Sequence, residues 1–124
     1  MIDTHCHLYT KEFDEDINQV MERATAAGVS KFYLPAIDSS CTVRVEKLVA
    51  DYPGKCIPMA GLHPCSVNAD FMIEIEHIKK QLSANKFAGI GETGLDFYWD
   101  KTFTAQQYEA LRIQAQLALD HELP

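Results

Sequence analysis

MIDTHCHL, residues 1–8, is the stretch on which the fold turns. Met1 to Thr4 reads as a short strand, and the residues after it carry polar chemistry where a strand ends. Side chains alternate faces along an extended chain. Asp3, His5 and His7 therefore project from one side and Cys6 from the other. Two neutral imidazoles spaced this way can both reach one divalent ion. The same pattern also fits two structural or surface histidines. No G-x-G-x-x-G turn follows this strand, so the usual phosphate signature of an open dinucleotide-binding sheet is missing.

Working outward, the chain repeats one unit. Phe13, Ile17, Val20, Met21 and Ala24 form a helical face, and Gly28 supplies a stop. KFYLPAI, Lys31 to Ile37, reads as a second strand. Ser39 or Ser40 is expected to cap a helix whose face is Cys41, Val45, Leu48, Val49 and Tyr52, ended by Pro53-Gly54. CIPMAGL, Cys56 to Leu62, is a third strand, and Phe71, Ile75, Ile78 and Leu82 mark a third helix. Pro35 and Pro58 each remove a ladder donor, but neither run has helical spacing. FAGIGE, Phe87 to Glu92, is a fourth strand. A capping box of Thr104 and Gln107, with Phe103 and Tyr108 as staple, starts a fourth helix. Its expected buried face is Tyr108, Leu111, Ala115 and Ala118.

Strands alternating with helices argue a parallel sheet with helical crossovers. Four such units make either a small doubly wound domain or half of a (β/α)8 barrel, which takes ~250 residues when complete. The candidate chemistry follows strands one, three and four. Functional groups at the C-terminal ends of several strands are the mark of the barrel. The expected fold is thus α/β, the first four βα units of a (β/α)8 TIM-type barrel, with residues 1–124 forming one incomplete domain.

Two further residues join the histidine pair. Glu92 ends the fourth strand among Gly89, Gly91 and Gly94. A carboxylate closing an apolar strand is costly unless it is paired or metal-bound. His63, in GLHP after strand three, reads as a phosphate contact, a further ligand or a loop imidazole packed beside Pro64. Asp96 reads as a loop or capping carboxylate. His77 and His121 read as solvated helix faces. Cys6 should pack under a helix, and Cys65 has no adjacent base to make it a nucleophile. Nitrogen and oxygen ligands without thiolate suit Zn²⁺, Mn²⁺ or Mg²⁺.

The net charge of −7 argues against general electrostatic capture of a polyanion. Bound cations would add positive charge that the sequence count omits. Cys6, Cys41, Cys56 and Cys65 form no C-x-x-C pair. With no basic and apolar leader and no membrane-length run, the expectation is a cytoplasmic protein with reduced thiols and no membrane partner.

IDTHCHL at the start, GLHP after the third strand and GIGETGLDFYWD after the fourth resemble, in order, the TatD family of metal-dependent deoxyribonucleases, amidohydrolase-like barrels. The resemblance runs through all 124 residues. It implies that His5 and His7 bind a divalent metal and that Glu92 binds metal too, bridging two ions (Mg, Mn or Zn). It implies that His63 lies near the scissile phosphate. The implied reaction is metal-assisted hydrolysis of a DNA phosphodiester by an activated water. Tyr9 departs from the family, which usually has Asp or Asn there. Cys65 and Trp99 stand where an aromatic and an Arg are common, and Trp99 offers a ring on which a base can stack.

The resemblance also sets an expectation about extent. In the family a segment like LALDHELP leads into a fifth strand that carries a further metal-binding histidine, and later strands carry a histidine and an aspartate, the latter the water activator. No catalytic base is therefore assigned in this chain. We expect residues 1–124 to be the N-terminal half of a longer enzyme, inactive alone; the alternatives are a half-barrel that self-associates through its open barrel edges, if the chain is truly this short, and a stable non-catalytic fragment. Rival readings are an amidohydrolase-like deacylase using the same metals, and a binding module without chemistry.

Overall fold

A computed structural model describes residues 1–124. Three parallel strands, β1 (Ile2–Asp3), β2 (Lys31–Pro35) and β3 (Cys56–Met59), lie side by side in that order. Helices α1 (Ile17–Ala26), α2 (Thr42–Asp51) and α3 (Phe71–Ala84) make the crossovers, and α4 (Thr104–Asp120) follows the fourth extended segment. The register pairs Ile2 with Lys31 and Phe32 with Cys56. No helix is long and apolar enough to cross a membrane.

One face of the sheet is dry. Phe32, Leu34 and Cys56 pack with Met21 of α1 and with Val45 and Leu48 of α2. Tyr33 and Ile57, neighbours on the opposite face, stay partly open. The apolar face of α3 is the expected one: Phe71, Ile75, Ile78 and Leu82 are all buried, against Leu62, Ile90, Ala110 and Leu117. Phe13 packs against the first cluster but lies in a short 3₁₀ turn, Lys11–Phe13, ahead of α1.

The prolines are accommodated within the strands. Pro35 ends β2, and Pro58 keeps its carbonyl in use, accepting from Ala88 N at 2.9 Å. Residues 87–92 run parallel to β3 but do not form a regular ladder; Ala60 and Ile90 make a single bridge. Ala60 N donates to Gly89 O at 3.1 Å and Gly91 N to Ala60 O at 2.7 Å. The chain then crosses to the end of β2, where Gly91 O accepts from Ala36 N and Glu92 N donates to Ala36 O, each at 3.0 Å. This departure from the expected fourth strand carries Glu92 towards β1.

Two helix starts differ from expectation. Neither Ser39 nor Ser40 caps α2: they lie in a 3₁₀ turn, Ser39–Cys41, that leads into the helix and is itself capped by Asp38. Its carboxylate accepts from Ser40 N at 3.0 Å and from Ser66 Oγ at 2.8 Å. Burial opposes the charge on Asp38, but these donors outweigh it and hold the carboxyl below its usual range. At α4 there is no capping box: Thr104 Oγ1 donates to Lys101 O, and Gln107 turns inward.

The buried face of α4 is Gln107, Ala110, Gln114 and Leu117, with Tyr108 exposed, so the expected face is offset. Polar residues can occupy this seam because each amide satisfies loop backbone. Gln114, 1 % exposed, accepts from Leu62 N at 2.8 Å and donates to Leu62 O and Ala110 O at 3.3 Å. Gln114→Ala strands the Leu62 groups and opens a cavity. We expect a loss of about 3 kcal/mol, read as a lower urea midpoint of the intact protein.

Candidate metal centre

β1 delivers His5 and His7 to the top of the sheet. Cys6 N donates to Tyr33 O at 3.1 Å, extending the β1–β2 pairing past Asp3 and fixing the parity of its neighbours. Cys6 itself turns towards the core cluster, where burial first and Asp3 second push its thiol up to about 12. It is therefore protonated and inert. His5 N donates to the Asp3 carboxylate at 3.1 Å, so Asp3 orders the backbone at this point.

Glu92 meets this pair. Its Oε2 lies 3.3 Å from His5 Nε2 and 3.2 Å from His7 Nε2, and the two Nε2 atoms are 3.2 Å apart. The three atoms form a nearly equilateral triangle. Two ligand atoms bound to one ion at ~2.1 Å, with angles between octahedral and tetrahedral, stand ~3.0–3.4 Å apart. All three edges fall in that interval. One carboxylate oxygen and two imidazole nitrogens are also a donor set suited to Zn²⁺ or Mn²⁺.

His63 stands on the other side of Glu92, its Nε2 3.4 Å from Oε1. Cys65 N donates to His63 Nδ1 at 3.0 Å. A backbone N–H can only donate, so Nδ1 of neutral His63 is bare and the ring proton sits on Nε2. His63 thus presents a hydrogen-bond donor to the site, which suits a phosphate oxygen better than a cation.

His7 is sandwiched between Glu92 and Tyr9. Burial lowers its pKa below the ordinary imidazole value, although Glu92 pulls the other way. Its Nδ1 is 2.7 Å from the Tyr9 hydroxyl, which donates to Pro35 O at 2.6 Å. Burial pushes the Tyr9 phenol well above its usual range, so it stays a hydroxyl. Arg44 of α2 holds this loop by donating to Tyr9 O and to Asp14. Tyr9 is the site-lining residue that sequence reasoning missed. It lies in the turn after His7, where Thr10 N donates to His7 O at 3.0 Å, so strand parity does not reach it and the sequence carried no signal for its role.

The remaining candidates stand apart from the triangle. Asp96 is a turn carboxylate: its Oδ1 accepts from Tyr98 N at 2.9 Å and its Oδ2 from Cys65 Sγ at 3.4 Å. The Tyr98 contact first, and Cys65 next, lower its pKa. Desolvation and Asp96 raise the Cys65 thiol, which therefore lacks thiolate character. Gln107 of α4 clamps this loop, accepting from Asp96 N at 2.8 Å and donating to Asp96 O at 2.9 Å. Trp99 is 79 % exposed and meets Tyr98 edge-to-face at 4.7 Å. His77 is not a solvated face: half-buried, it lies 2.8 Å from Thr42 Oγ1 and joins α3 to α2. His121 is exposed at the end of α4.

Known proteins resemble this chain in sequence and in fold. The crystal structure of YJJV, a TatD homologue from Escherichia coli K12, superposes with a TM-score of 0.86 at 31% identity, covering all of this chain and 48% of that one. The chain is 34% identical to the uncharacterized metal-dependent hydrolase YabD of Bacillus subtilis, and 33% identical to the 3'-5' ssDNA/RNA exonuclease TatD of Yersinia pseudotuberculosis. It covers 48% of each, so it spans about half the length of the curated relatives it matches. The fold is that of the first four βα units of a (β/α)8 barrel. A profile described as TatD related DNase matches residues 2–124, and the chain belongs to that family.

Proposed function

We propose that the intact protein hydrolyses phosphodiester bonds in DNA at a divalent-metal centre to which this chain contributes His5, His7 and Glu92. The triangle of Nε2, Nε2 and Oε2 atoms carries the reading. A bound divalent ion supplies Lewis acidity towards the phosphoryl oxygen and lowers the pKa of water. The chain's residues do the rest of the positioning. His7 and His5 offer ring nitrogens from one strand face, and the Glu92 carboxylate supplies negative charge that offsets the ion's. A second ion fits the reading because Glu92 Oε1 is turned away from the triangle, towards His63.

His63 is assigned to the substrate. Its Nε2–H can donate to a non-bridging phosphate oxygen and strengthen that bond as charge grows there in the transition state. Residues 1–124 form the N-terminal half of a single barrel domain on this reading, and the half-open face at Tyr33 and Ile57 is covered by the rest of the barrel. The unpaired thiols, with Cys41 and Cys56 buried singly, fit the cytoplasm.

The test is an assay of the intact protein on single-stranded DNA, the first substrate to try because the Yersinia relative is named for it. Nucleotide release should require Mg²⁺ or Mn²⁺, stop with EDTA, and fall about 10²-fold in His63→Ala, in line with the loss of one oriented donor. Inert DNA together with metal-dependent turnover of an acylated substrate would transfer the site to ester or amide hydrolysis. Absence of both would make the protein a binding module.

A further inference from the structure

We infer that Tyr9 is a positioning residue that fixes the tautomer and ring orientation of His7, keeping Nε2 unprotonated and aimed at Glu92. The inference rests on the metal-centre reading for its purpose, but its geometry is independent of any ion. Tyr9 is 3 % exposed, and its hydroxyl is trapped between Pro35 O at 2.6 Å and His7 Nδ1 at 2.7 Å.

A phenol has one proton, and a carbonyl has none to give. At 2.6 Å the Tyr9 proton must lie towards Pro35 O, since two bare oxygens would repel at that distance. The phenol oxygen then faces His7 Nδ1 with a lone pair, so the imidazole is the donor in that contact. Neutral His7 is left with its proton on Nδ1 and a bare Nε2. That nitrogen is the one standing 3.2 Å from Glu92 Oε2. The Tyr9 ring, edge-on to the imidazole at 5.5 Å and 85°, holds the ring plane as well. Outer partners of this kind set the orientation and basicity of histidine ligands. His5 has no equivalent: its ring is half-exposed and meets His7 and Glu92.

Tyr9→Phe keeps the buried ring and removes only the hydroxyl. Two readouts on the intact protein test the inference. Nitrogen-15 NMR of the metal-free wild type reports the His7 tautomer directly, and titration with Mn²⁺ reports affinity. We expect a pyrrole-like Nδ1 and a pyridine-like Nε2 in the wild type. In Tyr9→Phe we expect a mixture of tautomers and about 10-fold weaker Mn²⁺ binding. A wild-type His7 protonated on Nε2 overturns the inference, whatever the variant does. So does a Tyr9→Phe protein with unchanged tautomer and unchanged affinity. If neither form binds Mn²⁺ while the tautomer still depends on the hydroxyl, the metal-centre reading fails and the Tyr9–His7 coupling stands.

Discussion

Replacing His5 and His7 together by alanine should reduce metal-dependent turnover in the intact protein to the metal-free background. The two imidazoles supply two corners of a triangle whose edges are 3.2–3.3 Å. A single carboxylate left at Glu92, with its side chain 27% exposed, is a weak site for a hydrated dication. A catalytic ion contributes several kcal/mol of transition-state stabilisation. At 1.4 kcal/mol per decade that is a loss of about 10³-fold or more. The fold should survive, because His5 lies on the exposed rim and neither imidazole belongs to the apolar clusters. Thermal unfolding of the metal-free forms checks this, and the midpoint should move little. Retained Mg²⁺- or Mn²⁺-dependent activity in the double variant would place the chemistry elsewhere.

Gly61→Ala should do the reverse, damaging the fold first and the site through it. A Cβ at Gly61 would sit 2.5 Å from Gly91 O and 2.7 Å from Glu92 N. These are backbone atoms of the segment that carries Glu92, so no side chain can swing aside. Relief requires residues 87–92 to move away from β3. That movement strains the bonds from Gly91 N to Ala60 O and from Ala36 N to Gly91 O. Overpacking against a backbone that cannot yield puts the expected destabilisation at about 3 kcal/mol or more. Any folded remainder should bind metal poorly, because Glu92 is displaced. Gly94→Ala is the control: an added Cβ there meets nothing within 4 Å, and urea unfolding should be nearly unchanged. Equal midpoints for the two variants would refute the account of the close approach.

The sequence and the structure agree where one period governs a segment. The face of α3 follows from Phe71, Ile75, Ile78 and Leu82 because only apolar burial operates there. The α4 face does not follow, because Gln107 and Gln114 are buried to satisfy backbone groups of Asp96 and Leu62, distant in sequence. Hydrophobic periodicity carries no signal of that kind. Similarly, Ser39 and Ser40 fall in a 3₁₀ turn capped by Asp38, whose carboxylate is also held by Ser66 from the turn after β3, a contact distant in sequence.

The candidate site divides the same way. Strand parity and a carboxylate closing an apolar run made His5, His7 and Glu92 candidates, and the family resemblance supplied their expected role. The structure brings them together, and His63 with them. The crossing of residues 87–92 from β3 to the end of β2 was not legible. It depends on Gly61 and Gly91 touching across a gap that admits no side chain. Nor was the role of Tyr9, which read as a departure in a loop. Its hydroxyl acquires meaning only when β2 places Pro35 O beside it.

A divalent ion held by His5 Nε2, His7 Nε2 and Glu92 Oε2 should be visible by anomalous diffraction at the manganese edge, from crystals of the intact protein grown with Mn²⁺. The expected peak lies within bonding distance of all three atoms, ~2.0–2.3 Å. A map with full manganese occupancy elsewhere and none at this triangle would contradict this placement.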